Sequence, residues 1–480
     1  MIGPRLLEIA RTEPDLPALV VRGAPLSYSQ LLSAGGDVRR RLEAIGVRPG
    51  DVVVCALPVC WEAVASLVGC ALLGAVYMPV NASWSREEVA WLVKRVDPAA
   101  AIVTSDEGWL AAGIERARLI SGCDWPWPDA ASVGGEAAGL ETDRPIAYQL
   151  SSGSTGEPKI VVKSSGRFLA SMQAVASVVD MRPGRRILVT TPFHFGFSFS
   201  WQMLLPLVSG ATMVLLEKFD PGEAAEVINR EQVQCLWGSP VLYGLLSGAH
   251  LPEGSLNGLD LCITGGASVS AAVKEQWSRL GGAALRQAYG TTEAGMIAIQ
   301  REDQAPEGCV GLPPPGTETR IYDGDRIQLA GEPGEIAVRG PGVMSGYLDD
   351  DAATAALMMD GFLRTGDAGW LDEQGRLYFN GRIRPWINAG GIKVDPVEVQ
   401  NALRHMPGVR DCLVRAEPGP RDIEVVAAYI AAESGVELTR AAVIAHCRGR
   451  LAEYKIPRII RFVAALTDDL TGKSRVRMVH

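Results

Sequence analysis

Short apolar runs alternate with amphipathic stretches along most of this chain, and that alternation constrains the fold more than any other feature. The spacing predicts helices over residues 31–44 (LLSAGGDVRRRLEA) and 61–73, with strands over 52–54, 75–79 and 100–104. The rhythm resumes with a helix over 168–179, a strand over 186–190, a helix around Trp201 and a strand over 212–216. It goes on through 224–230, 235–237, 261–264 and a helix from Ser270. Strands and helices in turn build parallel βαβ units, so the expected class is α/β. Between 311 and 346 the texture shifts to short strands between Gly/Pro turns, including TRIYDGDRIQLAGEPGEIAVRG, which predicts an antiparallel or barrel-like part over about 311–380. At 480 residues the chain can bury several cores. The small α/β pattern of its tail sets a boundary after Gly381: a large domain over 1–381 and a small lid domain over 382–480.

Charge and cysteine usage narrow the function classes. A net charge of −9 argues against nucleic-acid binding by a general basic field, while leaving room for a local basic patch. The nine cysteines are scattered without a CxxC pair or a Cys/His cluster, which suggests reduced thiols in a cytosol and no zinc site. No basic segment followed by an apolar core opens the chain, so no secretory signal is read there. Two uncharged runs, 63–80 and 187–216, are long enough to weigh as membrane spans. Gly and Pro break both, and His194 and Gln202 interrupt the second, so both read as buried core and no membrane insertion is expected.

The chemistry gathers around YQLSSGSTGEPKIVVK, residues 148–163. Ser151, Ser152, Ser154 and Thr155 alternate with Gly153 and Gly156, and Lys159 closes the run. Glycines let backbone N–H groups approach a polyanion, hydroxyls add donors, and the lysine adds a mobile positive charge. It is not a Walker loop, because Lys159 follows proline. A plain surface turn is the competing reading. Downstream, YGTTEAG places Glu293 after Thr291 and Thr292, either as a Mg²⁺ ligand beside phosphate-binding hydroxyls or as part of a capped helix start. RTGD sets Asp367 behind a glycine turn, as a partner for two ribose hydroxyls or as an ordinary turn aspartate. TGKSR puts Lys473 on a short turn near the C-terminus, where a lysine is usually just solvated.

Taken in order, these segments resemble the adenylate-forming superfamily of acyl- and aryl-CoA synthetases, peptide-synthetase adenylation domains and luciferases. The resemblance spans nearly the whole chain, from LSYSQL (26–31) and GAVYMPV (74–80) through TPFHFG (191–196), TGGA (264–267), GEIAVRGPGVMSGYL (334–348), GR (381–382) and GGIKVDPVEV (390–399) to YKIP at 454–457. It implies two steps: a carboxylate and ATP give an acyl-adenylate and pyrophosphate, then a thiol displaces AMP. The first step brings anions together, and each unit-charge pair at about 4 Å repels by roughly 4 kcal/mol at an effective dielectric of 20. By the same resemblance Lys473 bridges carboxylate and α-phosphate, and Glu293 holds magnesium. Residues 151–156 and Lys159 grip pyrophosphate, Tyr289, Gly290, Thr291 and Thr292 line the nucleotide with Gly266 and Ala267, Asp367 holds ribose, and Arg382 sits near ribose and phosphate. The small domain rotates between steps, bringing Gly390 and Gly391 in. Ile160 replaces the usual glycine after Pro-Lys, and the hinge reads Arg384-Pro385, where proline restricts its predecessor.

The acid is read from residues 193–201. Aromatics at 193, 195, 197, 199 and 201 fall on alternate positions, which suggests an extended piece with one aromatic side, walling an acyl pocket or simply packing in the core. Amino-acid-activating members place an aspartate where Phe197 stands, and an unpaired buried ammonium is costly, so α-amino acids are disfavoured. His194 resembles the histidine that guards the pocket in acyl- and aryl-CoA ligases, with Phe195, Phe197, Trp201, Gly265 and Gly290 as further pocket residues. The expected activity is a cytosolic AMP-forming acyl- or aryl-CoA ligase using ATP, Mg²⁺ and coenzyme A. The alternative is a stand-alone adenylating enzyme that loads an acyl or peptidyl carrier protein on its phosphopantetheine. Arg382, Arg384, Arg404, Lys455 and Arg458 are candidates for the 3′-phosphate of CoA.

Overall fold

The computed structural model describes residues 1–122, 125–128, 143–152, 158–265, 269, 271–303, 305–306, 308–382, 387–390, 392–420, 423–433, 435–463, 465–468 and 474–477. Two large sheets carry the N-terminal part. The first runs in the order Gly295–Ile299, Leu285–Thr291, Leu261–Gly265, Cys235–Gly238, Arg186–Val189, Thr212–Leu215, Pro17–Val21, Ala24–Ser27. Its interior pairs are parallel and both edge pairs antiparallel. The second runs Gly346–Tyr347, Pro158–Ser164, Pro145–Ser152, Val76–Pro79, Val52–Ala56, Ala100–Val103, Leu119–Ser121. The Gly/Pro-punctuated stretch forms a third, antiparallel sheet that includes Glu318–Asp323, Gly334–Arg339, Phe362–Leu371 and Leu377–Arg382.

Strands buried on both faces explain the unbroken apolar runs of the sequence. The run over 63–80 is helix Trp61–Leu73, buried everywhere except Glu62, then strand Val76–Pro79. Gly74 ends the helix at φ +83°, a left-handed cap that glycine adopts without strain. The run over 187–216 folds as strand, helix and strand. Among the described residues, no helix is long and apolar enough to cross a membrane. Helix Tyr28–Ala44 begins three residues before the expected start, because Ser27 and Gln30 form a reciprocal capping box. A helix the periodicity passed over, Arg86–Val96, is opened by the same device between Ser85 and Glu88.

The smaller C-terminal domain has its own core. Strands Val409–Pro418, Glu424–Ala432 and Ile459–Phe462 form a sheet covered by helices Pro396–Arg404 and Arg440–Arg448, with Val399, Leu403, Val414, Ile430 and Val443 buried between them. Hairpin Ile387–Ala389/Ile392–Val394 leads into it.

Helices Tyr28–Ala44 and Trp61–Leu73 pack through glycines. A Cβ on Gly69 would stand 2.6 Å from Val38 Cβ and 2.9 Å from the Gly35 carbonyl oxygen, closer than real side chains approach. Gly69→Val should therefore destabilise the protein by about 1–3 kcal/mol through overpacking. A urea unfolding midpoint equal to that of the parent would show that the helices yield instead.

Candidate active site

The Ser/Gly/Thr stretch connects two paired strands. Ser151 lies opposite Lys159, and Ser152 opposite Pro158, in an antiparallel pair. Gly153, Ser154, Thr155 and Gly156 lie outside the described residues. Lys159 places its ammonium 4.6 Å from the centre of the Tyr347 ring and 3.6 Å from Asp350. The Tyr347 hydroxyl in turn donates to Glu293 Oε1 at 3.1 Å. Burial and the Glu293 charge push the Tyr347 phenol pKa upward, so it stays a donor at neutral pH. Tyr347 comes from an edge strand paired with Pro158–Ser164, which is how a residue near 350 reaches the loop at 155.

Glu293 sits on the turn between Leu285–Thr291 and Gly295–Ile299, an antiparallel pair. No helix begins there, so the helix-start reading does not hold. Thr291 does cap, but within a turn: its Oγ1 accepts from the Ala294 N–H at 3.1 Å. The Glu293 carbonyl accepts from the Met344 N–H at 2.7 Å and from Lys163 Nζ at 3.4 Å. Lys163 also donates to the Gly342 carbonyl at 2.7 Å, and burial lowers its pKa to about 7 despite the opposing pull of Glu293. The lysine was inside the motif read from sequence, yet its role rests on carbonyls nearly 130 and 180 residues away. No sequence signal announces them.

Asp367 is buried, and one of its oxygens receives the Tyr289 hydroxyl at 2.6 Å. Thr365 Oγ1 accepts the Asp367 N–H at 3.2 Å and donates to the Ile336 carbonyl. Glu335 braces the turn from the neighbouring strand, taking Arg364 Nε at 2.6 Å on one oxygen and the Gly366 N–H at 3.0 Å on the other. Gly366 has φ +72°, a left-handed conformation that glycine adopts without strain. The third sheet pairs Asp367 with Arg382, whose side chain lies outside the described residues.

Residues 193–201 are not extended. From Gly196 the backbone is helical, with a π-helical segment Ser198–Leu204 running into helix Leu205–Ser209. Local hydrogen bonds decide against the strand: Phe199 N–H reaches the Phe195 carbonyl at 2.9 Å, and Ser198 Oγ donates to the Thr191 carbonyl at 2.6 Å. Gln202 completes the start of the segment by accepting from Thr190 and Thr191 and donating to the Trp237 carbonyl at 2.6 Å. The aromatics therefore divide. Phe193 and Phe199 enter the core, Phe199 stacking on Tyr77. Trp201 stacks on Trp237 with centroids 5.8 Å apart, and Phe197 lies 6.5 Å from the same indole. A Cβ on Gly265 would come within 3.1 Å of the Phe197 ring, so glycine there makes room for it. Phe195 points the other way, toward Tyr454 of the C-terminal domain at 6.4 Å. His194 packs 4.1 Å from Phe195, and burial lowers its pKa to about 4, so it is neutral at pH 7.

Gly390 lines a cavity of about 380 Å³ with Ile423, Val425, Tyr454, Ile456 and Arg458. Of the basic candidates, Lys455 is held by Glu398 at 2.6 Å and Arg404 lies 3.6 Å from Asp411, whereas Arg458 is exposed at the cavity wall. Gly266, Ala267, Arg384, Pro385, Gly391 and Lys473 lie outside the described residues. The described ones thus bring Ser151, Lys159 and Glu293 together around Tyr347, and Tyr289 to Asp367. Tyr347, Lys163, Glu335 and Trp237 join them without having been singled out by sequence.

A family model described as "AMP-binding enzyme" matches residues 6–348, and one described as "AMP-binding enzyme C-terminal domain" matches 398–473. The chain is 30% identical to 3-[(3aS,4S,7aS)-7a-methyl-1,5-dioxo-octahydro-1H-inden-4-yl]propanoyl:CoA ligase of Rhodococcus jostii, covering 98% of this chain and 96% of that one. It is also 30% identical to feruloyl-CoA synthase of an Amycolatopsis species, over 97% of this chain and 95% of that one. The fold is that of o-succinylbenzoate CoA synthetase from Bacillus subtilis, with a TM-score of 0.87 at 23% identity over 98% and 96% of the two chains.

The neutral His194 has a measurable signature. Its folded pKa of about 4 lies below the ordinary histidine value near 6.5, so the unfolded chain binds more protons between those limits. Its effect on stability therefore rises with pH through that window, and is lost as pH falls from 6.5 toward 4. His194→Phe should flatten this part of the stability–pH curve in denaturant melts. An unchanged slope would show that His194 is not buried neutral.

Proposed function

Because this chain belongs to the AMP-binding enzyme family, we propose that it is an acid–thiol ligase that activates a carboxylic acid with ATP and passes the acyl group to coenzyme A. The observation that carries the reading is the Glu293–Tyr347–Lys159 arrangement at the end of the paired strands Pro145–Ser152 and Pro158–Ser164. A carboxylate and an ammonium flank one phenol where a triphosphate would meet a hydroxyl-rich loop. The carboxylate oxygen of the acid attacks the α-phosphorus, the bond to pyrophosphate breaks, and an acyl-adenylate forms. The thiol sulfur then attacks the acyl carbonyl, giving up its proton, and AMP leaves with the electron pair.

This chain's residues lower the charge penalty of the first step. Ser151, Ser152, Ser154, Thr155 and the backbone of Gly153 and Gly156 grip the departing pyrophosphate together with Lys159, and Thr291 and Thr292 add donors. To Lys473 we assign the neutralisation of the two anions as they meet. Asp367, oriented by Tyr289, takes the ribose. Magnesium, when bound, would spread the triphosphate's charge, and Glu293 is the residue that would hold it. Among the described residues no three His, Cys, Asp or Glu side chains cluster as a metal cage, and a single carboxylate suits an ion that keeps phosphate and water oxygens.

The acid is aryl or aliphatic rather than an α-amino acid: Phe197, packed against Gly265 and beside Trp237, gives an apolar wall, and residues 187–216 hold no Asp or Glu to pair an ammonium. Coenzyme A is the acceptor we favour, because the cavity beside Gly390 combines apolar walls, an aromatic ring and exposed Arg458, the chemistry of a nucleotide-bearing thiol. We place the domain boundary after Gly381 and the enzyme in the cytoplasm, where ATP and CoA are both available.

Purified protein with magnesium and a panel of acids should exchange labelled pyrophosphate into ATP; no exchange with any acid would end the proposal. Lys473→Ala should abolish that exchange while sparing thiolysis of a supplied acyl-adenylate, and equal loss of both would refute its role. Arg458→Ala should raise the KM for CoA about tenfold, as loss of one charge-assisted contact does, and leave exchange unchanged. A KM for CoA that does not move, with transfer to a carrier protein instead, would replace CoA as the acceptor.

A further inference from the structure

Gln149 lies on strand Pro145–Ser152, two residues before Ser151, so both side chains leave the same face of the strand. It is 4% exposed, and its Nε2 has no hydrogen-bond partner. A buried amide donor left unmade costs folding free energy, and natural structures keep few of them. Its surroundings are specific. The point where a side chain on Gly196 would begin lies 3.6 Å from Gln149 Nε2 and 3.3 Å from Thr292 Oγ1. With no side chain at Gly196, two donors approach its backbone, one from each large sheet. His194, two residues earlier in the same turn, has a buried Nε2 that is likewise without a partner.

The donors are uncharged and stand beside the turn read above as walling the acid, so the missing partner is a small oxygen anion rather than a second nucleotide. We propose that Gln149 is a catalytic residue whose Nε2–H donates to the carboxylate of the bound acid, and after adenylation to the carbonyl oxygen of the acyl-adenylate. This rests on the acid-activating reading above. One carboxylate oxygen forms the new bond to the α-phosphorus; the other becomes the carbonyl oxygen and stays with Gln149. When the thiol attacks, negative charge develops on that same oxygen, and the hydrogen bond strengthens as the tetrahedral centre forms. It weakens again as AMP departs and the carbonyl is restored.

The test compares Gln149→Met and Gln149→Glu with the parent, using pyrophosphate exchange on octanoate, benzoate, 3-phenylpropanoate and ferulate. With the best of these acids, Gln149→Met should lower kcat/KM for the acid about tenfold and slow thiolysis of the corresponding acyl-adenylate, while the KM for ATP stays put. Gln149→Glu should be worse, since it sets a carboxylate against a carboxylate. Thermal melts of the ligand-free proteins separate this from a packing role: removing an orphan donor should leave the melting temperature of Gln149→Met unchanged or raise it. A drop in stability matching the drop in activity, or unchanged kinetics for the acid, would overturn the proposal. If the parent itself exchanges no pyrophosphate with any acid, the underlying reading falls first and takes this one with it.

Discussion

A single ammonium group, buried beneath the candidate site, ties its parts together. Lys163 rises from strand Pro158–Ser164 and reaches the carbonyls of Glu293 and Gly342. One belongs to the edge turn of the first sheet, the other to the connection that brings Tyr347 back to pair with the second. Burying an ammonium is expensive, which is why its pKa falls to about 7. The fold sustains that cost because two main-chain carbonyls accept from it, that of Gly342 at 2.7 Å and that of Glu293 at 3.4 Å. The relative placement of loop, carboxylate and phenol follows from this contact.

Much of the architecture was legible in the chain because burial on both faces of a parallel sheet leaves an unmistakable apolar texture. Strands over 52–56, 186–189 and 261–265 fell where their valines, isoleucines and leucines indicated. What escaped was governed by short-range hydrogen bonding. Ser85 and Glu88 start a helix whose apolar stripe is thin, and only the capping pair gives it away. The alternating aromatics at 193–201 mimic a strand, but Ser198 and Gln202 bind the preceding backbone and wind the segment into a wide helix. A period of two in aromatics is then an accident of which residues face core and which face the turn.

The candidate site divides along the same line. Its chain-local candidates Ser151, Lys159 and Glu293 were picked out by residue type, although the turn that holds Glu293 opens no helix. Their supports could not be, because those are contacts between strands distant in sequence. Glu335 braces the Asp367 turn through Arg364 and a glycine amide, and nothing in GEIAVRG announces it. Tyr347 occupies a position that reads as an ordinary aromatic until strand pairing delivers it to Glu293. Wide helical turns of the kind formed by Ser198–Leu204 recur at functional sites for a related reason: an extra residue per turn re-aims side chains that a regular helix would stack.

The Tyr347 phenol donates to Glu293 while its ring lies 4.6 Å from the Lys159 ammonium, so one side chain of the short strand Gly346–Tyr347 links a carboxylate on the edge turn of the first sheet to a cation on the second. A shift of that two-residue strand would therefore move the surroundings of both charges at once.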